Sequence, residues 1–262
     1  MRPVSLPMYD ADRGAVAAFW RGVAAALRRR EVDSVADHPA WPDDLGAHWL
    51  DARLLLSQSC GYPLVTSLAG RVQLVGAFRY TADGCDGVRY RSQLVVRRDD
   101  PARSIEDCRG RVVAFNSSES QSGYHALLSV VAPLADGGRF FARAVASGSH
   151  RRSIEAVQRG EADVAAIDCV SFAAMRREGW VHVRVIGQTE AAPGLPLITS
   201  AETSADDLAA LRDALHEACA DPALADVRCA LFIDGFETLP LAAYDDILAM
   251  RRRALALGCA TL

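Results

Sequence analysis

Residues 111–124 have the sequence RVVAFNSSESQSGY, in which a strand-like apolar run ends in a hydroxyl-rich turn and a helix is predicted to begin near Gln121. The same order recurs where the run from Phe140 to Val145 leads into Ser147-Gly148-Ser149-His150 and a second amphipathic helix. The start of a helix presents unpaired backbone N–H groups and the positive end of the helix dipole. Two such turns in one sheet predict a site for a phosphate-like or carboxylate ligand held by neutral donors.

Strand-like and helix-like patterns alternate along almost the whole chain, which is typical of an α/β fold with mixed, mostly parallel sheets flanked by helices. The alternation is most regular between about Asp99 and Gly187. Extended passages near residues 91–98 and 185–199 are candidate hinge strands. They predict one lobe from residues 1–93 plus 190–262 and an inserted second lobe from residues 94–189. A ligand cleft is then expected between the lobes, at the carboxyl ends of the strands.

Composition narrows the possible functions. The chain has 262 residues and a formal net charge of −4, which argues against nucleic-acid partners because these usually need a basic face. All 29 basic residues are arginine, so no lysine is present to form a Schiff base or a Walker-type phosphate loop. The seven cysteines include no CxxC pair, which disfavours structural zinc, and their scatter indicates reduced, mostly buried thiols. No cofactor and no metal ion are therefore expected.

The N-terminal residues and the apolar runs bear on localisation. Met1-Arg2 leads directly into a Pro-containing apolar segment, without the pattern of a secretory leader. No apolar run approaches the roughly 20 residues that span a bilayer. The sequence as written therefore predicts a protein without an export signal or a membrane span, which is cytoplasmic unless a leader has been removed.

The first turn supplies the candidate ligand donors Ser120, Gln121, Ser122 and Gly123. The two serine hydroxyls and the backbone N–H groups of residues 121–123 would donate to ligand oxygens. The alternative is that Ser120 only caps its own helix. Gly123 favours the binding interpretation, because glycine in a first helical turn costs about 1 kcal/mol and permits close ligand approach.

Ser149, His150 and Asp168 are candidates from the following elements. An imidazole at a helix start can donate to an anion, although Ser149 and His150 could equally be a capping serine and a surface histidine. Asp168 ends the strand-like run Val164-Ala165-Ala166-Ile167. It would repel a fully ionised anion and so select a ligand that carries a proton or a positive group. The alternative for Asp168 is also a helix N-cap.

Aromatic and thiol side chains complete the candidates. Tyr9, Tyr62, Tyr90 and Tyr124 fall at strand ends or turns, where they could line a cleft or pack at the edge of the core. Ser59-Cys60-Gly61 could be a nucleophile turn with His150 as the base, but a small buried thiol is the favoured interpretation.

Taken together, these residues resemble the phosphonate- and phosphite-binding family of ABC-transporter substrate-binding proteins, which has the two-lobed type II periplasmic binding fold. The most specific part of the resemblance is the last helix–turn–strand segment, which ends at Asp168. The resemblance spans nearly the whole chain in the family's order. The segments that carry it are Ser5 to Asp10, Leu56 to Leu64, Ser118 to Tyr124, Ser147 to His150 and Ile154 to Asp168.

The resemblance implies specific site residues. Ser120, Gln121 and Ser122 match the family's hydroxyl-rich helix start, and His150 and Asp168 match its ligands on a second side. Tyr9 and Tyr62 match aromatic positions of the other lobe. Gln121 departs from the family pattern, which has Ser or Thr there.

The resemblance also implies a function. We expect a non-catalytic binding protein that closes on a small oxyanion, such as a phosphonate, phosphite or phosphate ester, with an ABC permease as a possible partner. Two alternatives remain open. One is an enzyme on the same fold, like those of the menaquinone pathway or of thiamin-precursor synthesis. The other is a cytoplasmic ligand sensor, which agrees with the missing leader.

Overall fold

A computed structural model describes all residues 1–262, and the chain forms two compact units. Unit 1 consists of Met1–Thr81, Asp86–Val88 and Pro193–Ala243. Unit 2 consists of Ala82–Cys85, Arg89–Ala192 and Tyr244–Leu262. Each unit is built from strands and helices in alternation, as the sequence pattern predicts.

The strands and helices are numbered in chain order. The strands are β1 Val4–Ser5, β2 Leu56–Gln58, β3 Val72–Tyr80, β4 Arg89–Tyr90, β5 Ser92–Arg97, β6 Val112–Phe115, β7 Arg143–Ala146, β8 Val164–Asp168, β9 Val183–Gln188, β10 Ala192–Pro193, β11 Pro196–Ser200 and β12 Ile233–Glu237. The helices are α1 Arg13–Arg29, α2 Leu45–Trp49, α3 Gly61–Val65, α4 Ala126–Val131, α5 His150–Arg159, α6 Cys169–Arg177, α7 Ala205–Ala220, α8 Ala225–Ala230 and α9 Asp245–Ala256. A π-helical turn, Gln121–His125, runs directly into α4.

Unit 1 is a five-stranded sheet in the order β1-β2-β11-β3-β12 with helices packed against it. Helix α1 begins where the Asp12 side chain accepts a hydrogen bond from the Ala15 N–H. Its apolar residues recur at helical spacing, so one face of the helix enters the core. There, fully buried Phe19 packs edge-on against Phe78 of β3, with ring centroids 5.6 Å apart.

Unit 2 is a second five-stranded sheet, in the order β7-β6-β8-β5-β9. Strand β6 pairs in parallel with both β7 and β8, so the carboxyl ends of these three strands lie at the same edge of the sheet. Alternate residues of β5 enter different apolar clusters: Leu94 and Val96 join one, and Val95 joins the other. Because successive strand residues point to opposite faces, helices cover both faces of this sheet.

The sheets are mixed, as expected, but the prediction that they are mostly parallel is wrong. Five of the eight strand pairings in the two sheets are antiparallel. In unit 2, β6, β7, β8 and β9 share one direction, and β5 lies between β8 and β9 in the opposite direction. In unit 1, β11 separates β2 from β3 in the same way. Strand–helix alternation fixes the direction of successive strands, but it does not fix which strands are neighbours.

The C-terminal segment differs from the expected division of the chain. The sequence analysis places residues 190–262 in one lobe with the N-terminal part, whereas Tyr244–Leu262 packs within unit 2. The reason is apolar burial: Ala254 of α9 and Cys259 form a cluster with Tyr124 and with Leu128 of α4. No helix of the chain has the length and hydropathy needed to cross a membrane.

Candidate functional site

The two serine-rich turns lie side by side at the carboxyl edge of the unit 2 sheet. One turn follows β6 and the other follows β7, its parallel neighbour. Backbone hydrogen bonds join them: the Ser147 N–H donates to the Phe115 carbonyl at 2.8 Å, and the Gly148 N–H donates to the Asn116 carbonyl at 3.0 Å. Asp168 is the last residue of β8, on the other side of β6. Three strands therefore deliver the predicted site residues of this unit to one edge.

Ser120 begins the π-helical turn and caps it. The Gly123 N–H donates to Ser120 Oγ at 3.0 Å, and the His125 N–H donates to the Ser120 carbonyl at 3.1 Å. The capping role weighed for this serine is therefore present. Because a hydroxyl that accepts one hydrogen bond still has its own proton to donate, capping leaves Ser120 able to bind a ligand oxygen.

A hydrogen bond between side chains joins the two turns. Ser122 Oγ lies 3.0 Å from His150 Nε2 and 3.4 Å from Ser120 Oγ. The Ser122 carbonyl accepts a hydrogen bond from Ser92 Oγ of β5 at 2.9 Å, which anchors the turn to the sheet. His150 is the first residue of α5, and Ser149 caps that helix by accepting from the Arg152 N–H at 3.1 Å. The result is a row of three polar side chains, Ser120, Ser122 and His150.

His150 is electrically neutral in this environment. Burial lowers the pKa of His150 to about 4, so the ring carries one N–H at neutral pH. Its Nδ1 atom is buried and has no hydrogen-bond partner. If Nε2 carries the proton and donates to Ser122, the Ser122 hydroxyl proton is free for a ligand. If Ser122 donates instead, the Nδ1–H is free. Each tautomer therefore leaves a donor that no protein group uses.

Asn116 is a site residue that the sequence analysis missed. Its Oδ1 atom is buried without a hydrogen-bond partner, directly after β6. A Cβ atom at Gly123 would lie 2.0 Å from Asn116 Oδ1 and 3.2 Å from His150 Cε1. Only glycine allows the turn to approach both side chains so closely. A polar residue placed directly after a buried strand was the available signal for Asn116.

Gln121 and Tyr124 point their side chains into the interior of unit 2. Gln121 is fully buried, and its Nε2 donates to Met250 Sδ of α9 at 3.4 Å. The Tyr124 ring packs edge-on against Phe115, with centroids 5.0 Å apart, and its hydroxyl accepts from the Leu262 N–H at 3.4 Å. From Gln121, the backbone N–H is thus the remaining candidate donor, and Tyr124 has the packing role weighed for the tyrosines.

Asp168 is buried and caps α6. Its Oδ1 accepts hydrogen bonds from the Val170 and Ser171 N–H groups, both at 2.9 Å, and the residue is 2% exposed. The N-cap alternative therefore describes its position in the fold. Its role toward a ligand stays a prediction.

Tyr9 and Tyr62 belong to unit 1. The Tyr9 ring packs edge-on against Tyr80, with centroids 5.1 Å apart, and the Tyr80 hydroxyl accepts from Gln58 Nε2 at 3.0 Å. Tyr62 is the second residue of α3, which begins directly after Cys60, and both tyrosines are partly buried. Their roles in binding stay predictions. No group of three or more His, Cys, Asp or Glu side chains in the chain is arranged to hold a metal ion.

One family of known proteins matches most of the chain. Residues 54–244 match the family model described as "ABC transporter, phosphonate, periplasmic substrate-binding protein". A comparison with curated proteins finds no match.

Solved structures with the same fold include a component of a phosphonate transporter and a complex with methylphosphonate. A binding protein component of an ABC phosphonate transporter from Pseudomonas aeruginosa aligns with a TM-score of 0.75 at 16% identity, over 98% of this chain and 88% of that one. PhnD1 of Prochlorococcus marinus, solved in complex with methylphosphonate, aligns with a TM-score of 0.74 at 12% identity, over 96% of this chain and 98% of that one. A Xanthomonas citri protein bound to ATP aligns with a TM-score of 0.70 at 15% identity, over 98% of both chains. At these identities the likeness shows the fold, which is that of type II periplasmic binding proteins.

Proposed function

Because the chain belongs to the family of periplasmic substrate-binding proteins of ABC phosphonate transporters, we propose that it binds a small oxyanion of the phosphonate class through the Ser120–Ser122–His150 row. The family match confirms the resemblance inferred from the sequence and the expectation of a solute-binding protein rather than an enzyme. Membership of the family implies a small ligand and a permease as partners.

The observation that carries the proposal is the 3.0 Å hydrogen bond between Ser122 Oγ and His150 Nε2. This bond links two helix starts, α5 and the π-helical turn that leads into α4, whose first N–H groups are suited to an anion. It also joins side chains that are 28 positions apart in the chain, so it is not a by-product of local helix capping. With Ser120, the pair offers hydroxyl or N–H donors from neighbouring groups, as the tetrahedral oxygens of a phosphonate require.

The donor chemistry favours a ligand that keeps one proton. Ser120, Ser122 and His150 are all neutral near pH 7, since burial lowers the pKa of His150 to about 4. The Asp168 carboxylate stands at the same edge of the sheet and disfavours a fully ionised ligand. A phosphonate monoanion, or a phosphonate with an attached ammonium group, meets both conditions.

Gln121 weakens the proposed site because its side chain supplies no hydroxyl donor to the ligand. The family pattern has a serine or threonine hydroxyl at this position, whereas the Gln121 amide is buried against Met250 Sδ. The site therefore has one hydroxyl donor fewer than the family pattern. A hydrogen bond to a charged group contributes about 1.5–3 kcal/mol, so the loss weakens phosphonate binding by roughly tenfold or more.

Titration calorimetry with phosphate, phosphite, methylphosphonate and 2-aminoethylphosphonate tests the proposal. We expect saturable heat with at least one ligand and a 10- to 100-fold weaker affinity in Ser122→Ala, at about 1.5–3 kcal/mol for one charge-assisted hydrogen bond. Ser118→Ala is the matched control, because Ser118 is an exposed serine of the same turn. Absence of heat with all four ligands up to about 1 mM would refute the ligand class. Equal affinities of the two alanine variants would refute the site.

A further inference from the structure

Two cysteines of unit 2 lie in contact although they are 84 positions apart in the chain. Cys85 Sγ and Cys169 Sγ are 3.4 Å apart. Cys85 is partly exposed and Cys169 is buried. Other buried thiols of this unit face the backbone instead: Cys108 Sγ donates to the Ser104 carbonyl, and Cys259 Sγ donates to the Gly138 carbonyl. The cysteines are scattered along the sequence, as expected for reduced thiols, but the fold brings this pair into contact.

The backbone brings the two sulfur atoms together by several independent contacts. The turn Ala82–Cys85 is closed by a hydrogen bond from the Cys85 N–H to the Ala82 carbonyl at 2.9 Å. Gln93 Nε2 of β5 donates to the Asp83 carbonyl at 2.9 Å, which holds the turn on the sheet.

Gly84 and the start of α6 complete the approach. Gly84 has φ +107°, and a Cβ atom there would lie 3.0 Å from Cys169 Cβ, so glycine permits both the conformation and the contact. Cys169 is the first residue of α6, and its N–H donates to the Arg91 carbonyl at 3.1 Å. Both cysteine backbones are thus fixed before any covalent bond forms.

We propose that Cys85 and Cys169 form a reversible intrachain disulfide bond under oxidising conditions. A disulfide has an S–S length of about 2.05 Å, so the two sulfur atoms need to approach by about 1.4 Å from the thiol positions. Rotation of two side chains on fixed backbones supplies a movement of that size. The bacterial periplasm and similar oxidising compartments maintain such bonds.

The chemistry balances with a low-molecular-weight disulfide such as oxidised glutathione. The partly exposed Cys85 attacks it as the thiolate, which forms a mixed disulfide and releases one glutathione thiol. Cys169 then attacks the Cys85 sulfur atom, the bond from Cys85 to glutathione breaks, and a second glutathione thiol leaves. The two cysteines lose two electrons and two protons in all, and the two glutathione molecules take them up.

The environment of Cys169 makes it the second thiol to react. Its hydrogen bond with Cys85, its burial and the neighbouring Asp168 carboxylate all raise the pKa of Cys169. Cys169 is therefore protonated near neutral pH, and attack through its thiolate is slow. Oxidation consequently begins at the partly exposed Cys85.

The bond would fix a chain crossing next to the candidate site. The chain leaves unit 1 at Thr81, contributes Ala82–Cys85 to unit 2 and returns to unit 1 at Asp86. The partner, Cys169, directly follows Asp168, whose carboxylate caps α6. The disulfide would tie this crossing segment to the first residue of that helix.

Peptide mapping of the full-length protein tests the proposal without reference to any ligand. Trypsin cleaves after arginine and releases the Cys85 peptide Tyr80–Arg89 and the Cys169 peptide Gly160–Arg176, each with one cysteine. The reduced protein is incubated with a glutathione redox buffer, alkylated and digested without reductant. We expect a cross-linked peptide pair, lighter by two hydrogens than the sum of its parts, which dithiothreitol separates.

Two variants make the mapping decisive. In Cys85→Ser the cross-linked pair disappears and no other cysteine replaces Cys85. Cys229→Ser removes an exposed cysteine and leaves the cross-link unchanged. The proposal is overturned if both peptides remain singly alkylated or carry only glutathione under conditions that fully glutathionylate Cys229. It is equally overturned if Cys85 pairs with a different cysteine. Neither result depends on whether the protein binds a phosphonate, so the two proposals fail separately.

Discussion

Replacing Gly123 by alanine is the most direct test of how tightly the two turns of the candidate site approach each other. The added Cβ atom would lie 2.0 Å from Asn116 Oδ1 and 3.2 Å from His150 Cε1, and the first distance is far below van der Waals contact. Gly123 does not have a positive φ, so its backbone conformation is open to alanine. The whole penalty therefore comes from the side chains that surround the position.

The size of the effect follows from two opposing contributions. Forcing an additional carbon atom into a packed site costs about 1–3 kcal/mol. Alanine in a helical turn gains up to about 1 kcal/mol over glycine. Because an approach of 2.0 Å places the steric cost in the upper part of that range, about 2–3 kcal/mol, the expected net loss is about 1–2 kcal/mol of unfolding free energy. This corresponds to a melting temperature lower by roughly 2–8 °C for a chain of this size.

Two further variants separate this explanation from a general effect of substitution. Gly46→Ala places a Cβ in helix α2 at 3.4 Å from Asp44 Oδ1, which is ordinary contact, so its stability should equal or exceed that of the wild type. Asn116→Ala removes the atom that clashes, and its Oδ1 has no hydrogen-bond partner to lose. The double variant Asn116→Ala/Gly123→Ala should therefore recover most of the loss.

Thermal and urea unfolding, followed by circular dichroism, measure the stability of the wild type, Gly123→Ala, Gly46→Ala and the double variant. The reasoning is refuted if Gly123→Ala is as stable as Gly46→Ala. It is also refuted if removing the Asn116 side chain leaves the double variant as unstable as Gly123→Ala alone, because the 2.0 Å overlap would then not be the cause.

Two further predictions concern charged and titratable groups of unit 2. Asp100 is 7% exposed and accepts a hydrogen bond from Arg111 Nη1 at 2.9 Å, so Asp100→Asn should lower the unfolding free energy measured in urea by about 2–4 kcal/mol. Asp99 belongs to an exposed ion pair, so Asp99→Asn should lower it by less than about 0.5 kcal/mol. Equal losses in the two variants would contradict a stabilising role for the buried pair. Burial, with a smaller contribution from the Arg251 charge, lowers the pKa of His125 from the ordinary 6.5 to about 4. The folded state therefore favours the neutral ring, and the stability that this contributes is present above pH 6.5 and is lost as the pH falls towards 4. The loss for His125 is at most about 3 kcal/mol, so His125→Gln should flatten the fall of unfolding free energy between pH 6.5 and 4, and exposed His38→Gln should leave it unchanged.

The sequence predicts local features of the site well, because they depend on neighbours along the chain. The sequence offers helix capping as one role for three residues, Ser120, Ser149 and Asp168. Each of them accepts a hydrogen bond from an N–H two or three positions later. Such caps need only the next turn of backbone. The alternation of strands and helices is local in the same sense.

Helical periodicity explains why two of the predicted side chains face elsewhere. In the regular α-helix that the sequence predicts from Gln121, positions 121 and 124 share a face and position 122 is rotated by about 100°. The turn is π-helical, but the same division of side chains is present. In the structure, Gln121 and Tyr124 face the C-terminal segment, and Ser122 faces His150. Helical spacing therefore separates Gln121 and Tyr124 from Ser122, and only Ser122 lies on the side of the turn that faces His150.

Features that depend on distant parts of the chain could not be predicted from the pattern. The antiparallel insertion of β5 between β8 and β9 is set by sheet order, which no local periodicity encodes. Asn116 becomes part of the site only because Gly123 and His150 approach it. The contact between Cys85 and Cys169 likewise joins positions 84 residues apart.

In the proposed site, we expect hydrogen-bond geometry and the Asp168 charge to select the ligand together. The Ser120 hydroxyl already accepts a hydrogen bond from Gly123, so toward a ligand it acts as a donor. Neutral His150 is different, because its tautomer can adjust: Nδ1 donates to an unprotonated ligand oxygen or accepts from a protonated one. A monoanionic phosphonate presents both kinds of oxygen, and we expect the nearby Asp168 carboxylate to disfavour the dianion. A cationic side chain in place of His150 would remove this choice, since it could only donate. The low pKa of His150 is therefore the property that would let the proposed site bind a ligand that carries one proton.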